Sequence, residues 1–167
     1  FFHQVHLADA KGWSLAWLAS CFVGFAVGKV ATVLIAGPMI DRFGAIRLLP
    51  YYPLPLVLGL LALAVSDHPG VALAYLVGSG VSTGMWLITI GALWAEMYGV
   101  AHLGAIRSMA QAIFVLSVAL STVGMGWLLD LGIAIENIAL GSAAYIAVSM
   151  ALSALLTLRP NRPAARH

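Results

Sequence analysis

Gly37-Pro38-Met39-Ile40-Asp41-Arg42-Phe43-Gly44-Ala45-Ile46-Arg47 is a charged stretch bounded by glycines and wedged between two long apolar runs. Glycine and proline punctuate chain reversals. The flanking runs, 13–40 and 48–66, are each long enough to cross a hydrocarbon core about 30 Å thick at about 1.5 Å per residue. The stretch therefore reads as a short polar turn joining two membrane-spanning helices, and it sets the expectation of an all-α polytopic bundle.

The rest of the chain repeats that pattern. Hydrophobic residues make up 62% of it and charged residues 8%, and the mean hydropathy is +1.01. A soluble domain carries roughly one-quarter charged residues. Further spans are expected at 70–95, 108–129 and 137–158. The chain opens on Phe1-Phe2-His3-Gln4-Val5-His6, which reads as the outer end of one more span over about 1–8, cut short, with no basic leader of a signal peptide. Residues 159–167 read as a short polar tail.

The charges are placed by topology. Arg42, Arg47, Arg107, Arg159, Arg162 and Arg166, all but two of the eight basic residues, follow the first, third and fifth full spans. The turns after the second and fourth spans carry Asp67, His68, Asp130 and Glu136 and no Lys or Arg. The positive-inside rule then makes the arginine side, with the C-terminus, cytoplasmic. The net charge of +2 reports orientation and calls for no nucleic-acid partner. The single cysteine, Cys21, permits no internal disulfide.

Counting the partial span, six helices divide into three plus three of opposite orientation, the inverted repeat common among transporters. Glu96-Met97-Tyr98-Gly99 and Gly104-Ala105-Ile106-Arg107, in the next arginine-side turn, echo Asp41 to Arg47 faintly. Small residues at four-residue spacing form three expected packing seams: Ser20, Gly24 and Gly28; Gly80 and Gly84; Ser117 and Ser121. Pro50, Pro53 and Pro55 open the span 48–66, where they cost least or bend it in a way neighbouring helices can satisfy.

The pattern Gly37-x-x-x-Asp41-Arg42-x-Gly44 at an arginine-side turn resembles the signature loop of the major facilitator superfamily, and the order of spans resembles the C-terminal half of such a carrier. The chain departs from the usual motif in having Ala45 and Ile46 before Arg47. The resemblance implies alternating-access transport of a small solute, with a coupling proton or other gradient, in a bacterial inner membrane. It implies a partner in the N-terminal half of the same chain and a substrate site between the halves. It also implies that Gly37, Asp41, Arg42, Gly44 and Arg47 belong to a cytoplasmic gate. An acid at a helix C-terminus is disfavoured by the macrodipole unless a cation or another helix N-terminus lies close. Asp41 and Glu96 both meet that difficulty, so a network of Asp41, Arg42, Glu96 and Arg107 is expected at the gate.

Lys29 is the sharpest substrate candidate. It lies about eight residues, on the order of 12 Å, from Gly37 within an apolar run, where an ionised lysine costs roughly 3 kcal/mol. Such a residue should face a cavity, pair with another part of the protein, bind an anion, or snorkel to the interface. Carriers of the oxalate, formate and monocarboxylate branch hold a basic residue in this helix, and Lys29 resembles it. A second cation in the eleventh helix of some of them has no counterpart here. His3, His6 and Asp9 share one helix face but make thin metal ligation, so no metal is expected. His3 and Gln4 are instead expected to line an outer mouth and contact substrate. Trp86 is a further candidate wall of the site, with packing against a neighbouring helix as its plainer reading. Gln111 is expected to hydrogen-bond across helices.

The spans hold no constellation for acid–base or nucleophilic catalysis and no phosphate-binding loop, so neither an enzyme nor a cofactor is expected. A drug–proton antiporter of the same superfamily is the nearest alternative. A channel or an assembly protein is an alternative of another class, though a channel needs rings of charge or carbonyls.

Overall fold

The computed structural model describes residues 4–99 and 101–158. The chain order is α1 (Gln4–Lys11), α2 (Leu15–Phe43), α3 (Ala45–Leu48), α4 (Leu54–Val65), α5 (Gly70–Tyr98), α6 (Leu103–Asp130) and α7 (Ile135–Leu158). Among the described residues every regular element is helical, and α2, α5, α6 and α7 are long and apolar enough to cross a membrane. This is the architecture of an α-helical membrane bundle.

The opening stretch folds differently from its reading as a turn. Ser14 caps α2, its Oγ accepting from the Trp17 amide at 3.2 Å. The helix then continues through Gly37, Asp41 and Arg42 to Phe43. Pro38 has no N–H to give the carbonyl of Leu34, yet α2 runs on past it. Only Gly44 breaks the helix, with φ +82°, and its amide donates to the Ile40 carbonyl at 2.8 Å. That backbone region favours glycine. The expected turn therefore contracts to one residue followed by the single turn of α3.

Span boundaries shift outward elsewhere. α5 extends to Tyr98, α6 begins at Leu103, so that Gly104 to Arg107 form its first turns rather than a loop, and α7 begins at Ile135.

The expected span 48–66 is divided. α4 has 12 residues, about 18 Å of helix, short of the roughly 30 Å required. Between α3 and α4 the chain runs through turns closed by Tyr51 N–H to Leu48 O (3.0 Å) and Leu54 N–H to Tyr51 O (3.1 Å). Pro53 and Pro55 flank the start of α4 and withhold donors. The amide of Leu56 instead donates to Oγ of buried Ser82 on α5 at 3.0 Å. Ser82 lies near the middle of α5, so α4 begins well inside the bundle, where a broken helix is tolerated if other parts of the protein satisfy its backbone.

The core is built on α2 against α5. A Cβ on Gly80 would come within 2.2 Å of the Phe25 carbonyl oxygen, and one on Gly84 within 2.7 Å of that of Lys29. Reciprocally, a Cβ on Gly28 would lie 3.0 Å from the Val77 carbonyl oxygen. Two of the three expected seams, less exposed Ser20, which donates to the Trp17 carbonyl of its own helix, are thus the two sides of one interface in which backbones touch. The third behaves differently: no described residue of α6 is buried. Ser117 and Ser121 donate only to carbonyls of their own helix, at Ile113 and Val118.

Candidate functional site

Lys29 stands midway between Leu15 and Phe43, about 21 Å from either end of α2. In the expected run 13–40 it already lies 11 residues from the nearer end, and the observed bounds make that 14. Its side chain is half-buried and makes no ion pair or hydrogen bond among the described residues. Its backbone is fixed by the glycine contact with Gly84, and Thr32, one turn on, donates to the Gly28 carbonyl at 2.7 Å.

Trp86 is not brought to Lys29. It is two positions beyond Gly84, roughly 200° around α5 from the α2 contact, and it stacks on Phe114 of α6 with ring centroids 5.2 Å apart. That is the plainer of its two expected roles. Gln4 lines a cavity of about 110 Å³ with Leu7, Leu63, Tyr75, Ile138 and Ser142, well away from Lys29. His3 lies outside the described residues. His6 and Asp9 are exposed on α1, and no group of three metal-ligating side chains occurs among the described residues. Gln111 is exposed on α6.

At the end expected to face the cytoplasm, the charged residues do not assemble into the expected network. Glu96 does find a helix N-terminus: its Oε1 accepts from the Ala45 amide, the first of α3, at 2.9 Å. A carboxylate suits that position because it satisfies an orphan donor and complements the positive end of the helix dipole. Arg107 donates to the Gly91 carbonyl at 3.0 Å, not to Glu96. Arg42 lies over the ring of Phe43, 5.4 Å from its centroid. Asp41 is exposed and in no ion pair, and Arg47 is exposed. Gly37 meets nothing within 4 Å of where a Cβ would stand. Beside them a cleft of about 1030 Å³ opens between α3, α5 and α7, with Arg47, Tyr51, Glu96 and Leu156 among its walls.

The strongest polar cluster lies at the opposite end and includes a residue that composition alone had not brought forward. Lys11 closes α1 with its side chain 1% exposed, and Nζ reaches Asp67 Oδ1 at 2.5 Å and Glu136 Oε1 at 2.8 Å. These are the ion pairs found among the described residues. Burial pulls the Lys11 ammonium down, but the hydrogen bonds it donates to Asp67 and Glu136 outweigh that and hold its pKa above the ordinary lysine value. Trp13 Nε1 donates to the Asp67 carbonyl at 2.7 Å, and Trp17 Nε1 to the Pro69 carbonyl at 2.9 Å. The sequence signal was present: Lys11 is a basic residue on the side whose later turns are acidic. Compared with protein-family models, with characterised proteins and with solved structures, the chain finds no match.

Proposed function

We propose that this bundle is the C-terminal half of a secondary carrier of the major facilitator type, moving a small organic anion by alternating access against a second half of the same protein. The observation that carries this reading is Lys29. A cation at the centre of a long apolar helix, with no counter-ion among the described residues, carries roughly 2.5–3.5 kcal/mol of insertion cost. An anionic solute offsets that cost where no protein acid does. The divided span through α3 and α4 supports the reading, since discontinuous helices are frequent where transporters bind solutes. On this view Asp41, Arg42, Arg47, Glu96 and Arg107 form the cytoplasmic face of the carrier, and the Glu96–Ala45 bond holds α3 in one of its states.

The test is uptake by the intact protein in proteoliposomes across a panel of mono- and dicarboxylates, with Lys29→Ala alongside the parent. Saturable uptake of at least one anion, reduced tenfold or more by Lys29→Ala, is the expected result. Equal uptake by both proteins would remove Lys29 from the site and the anion from the proposal.

A further inference from the structure

Lys11, Trp13 and Trp17 send three donors from one short segment into the turn between α4 and α5, and Lys11 reaches α7 as well. Beneath them lies a continuous apolar cluster. Leu7 and Ala8 of α1, Leu18 of α2, Leu63 of α4, Leu76 of α5 and Ala139 of α7 all belong to it, and α6 contributes nothing. The other end of the molecule has an apolar cluster of its own, built on Ala36, Ile40, Leu48, Met85 and Leu93, but its polar ties are a carboxylate-to-amide bond and an arginine-to-carbonyl bond, with no ion pair among the described residues.

We propose that Lys11 is the pin of a clasp that holds this end of α1, α2, α4, α5 and α7 as one body and leaves α6 outside it. The ammonium has three donors, two of them taken by carboxylates from separate turns. Among the described residues it is therefore the group whose ion pairs join the α4–α5 turn to the start of α7. Its side chain is buried while that of Asp67 is 77% exposed, so the pin is shielded and the acids close over it from the solvent side. α6 lies against the body through the Trp86–Phe114 stack and the Arg107–Gly91 bond toward its arginine-side half, and through Met125, which lines the cavity beside Gln4, Leu7 and Ile138, toward the other. Its far end is tied to α7 by the short turn after Asp130, and no described residue of α6 is buried, so its middle is the part left to shift against the clasped helices.

The clasp is read by distance, without reference to transport, so it fails or stands separately from the carrier proposal. With Cys21 replaced by alanine, the intact protein in nanodiscs carries spin labels at exposed positions: one pair at Leu15 and Leu140, a second at Leu15 and Leu120 in the middle of α6. The first pair should give one narrow distance distribution and the second a wider one. Lys11→Met should widen the first roughly twofold and leave the second unchanged. Glu136→Gln, which keeps the shape and removes one ion pair, should widen the first by less, and it decides the matter if Lys11→Met does not accumulate. A first-pair distribution that neither variant alters overturns the clasp. So does a second pair as narrow as the first in the parent protein, since α6 would then belong to the same body.

Discussion

Lys11 and Lys29 show how one residue type takes opposite roles from its surroundings. Lys11 is more deeply buried, yet two carboxylates meet it, whereas Lys29 has none among the described residues. The Lys11 cluster has an asymmetric energetics that mutation exposes. In Lys11→Met the remaining acids stay hydrated, with side chains 77% and 37% exposed, and the loss should be modest, about 1–2 kcal/mol. In the double variant Asp67→Asn, Glu136→Gln the buried ammonium is left without a counter-ion, which costs roughly 3–5 kcal/mol. Thermal unfolding in detergent should therefore place the double variant well below Lys11→Met, and the reverse order would show that the acids carry the cluster. The pH dependence has a definite sign. The native state holds the Lys11 proton more tightly than the unfolded chain does, so the contribution is complete below the ordinary value of 10.5 and declines as pH rises through the native pKa. The stability difference between parent and Lys11→Met should stay flat from neutrality to about pH 10 and shrink above it.

At the scale of elements, the α2–α5 interface depends on atoms that are absent. Gly80→Ala puts a methyl where 2.2 Å separates a Cβ from a backbone oxygen of Phe25, and neither helix backbone yields cheaply. Gly104→Ala on α6 meets nothing within 4 Å. The first should lower the unfolding midpoint by an amount equivalent to about 1–3 kcal/mol, as overpacking does, and the second should leave it within error. Equal midpoints would mean that α2 and α5 do not pack backbone to backbone. The four-residue spacing of Gly24, Gly28, Gly80 and Gly84 made this interface legible in the sequence. The same spacing at Ser117 and Ser121 promised a seam that α6 does not form, because spacing states what a helix can pack with and not whether a neighbour arrives. The division of 48–66 was legible only as a possibility. Three prolines permit either a bent span or a broken one, and the choice falls to Ser82, far away in sequence, which accepts the Leu56 amide. Likewise, the need of Glu96 for a partner could be read from its place at a helix end, but its partner, the start of α3, exists only because Gly44 breaks the chain there. Lys29 was legible as an anomaly deep in the run 13–40, whereas the continuation of α2 to Phe43 was not, because the end of that run reads as a turn until it is seen as helix.

Across the whole molecule the polar contacts separate into two ends, and the spans between them are nearly free of charge. Lys11, Asp67 and Glu136 gather at one end, while Arg42, Arg47, Glu96 and Arg107 lie at the other. That separation agrees with the alternation of turns inferred from the arginines, and it gives the orientation a direct test. Arginines held on the cytoplasmic side resist translocation, and Arg42, Arg47 and Arg107 at one end outnumber Lys11 at the other, so the Arg47 end should remain inside. With Cys21 replaced by alanine, single cysteines at exposed Asp67 and exposed Arg47 report opposite faces. A membrane-impermeant maleimide added to intact cells should label the cysteine at 67 and reach the one at 47 only after the membrane is opened. The Arg47 site removes a topological charge, so a cysteine at exposed Met97, beside it in the same cleft, provides the matching inside probe with the arginines intact. Labelling of 97 from outside would invert the bundle. It would place the Lys11 clasp in the cytoplasm and remove the cytoplasmic placement proposed for the Gly44 end.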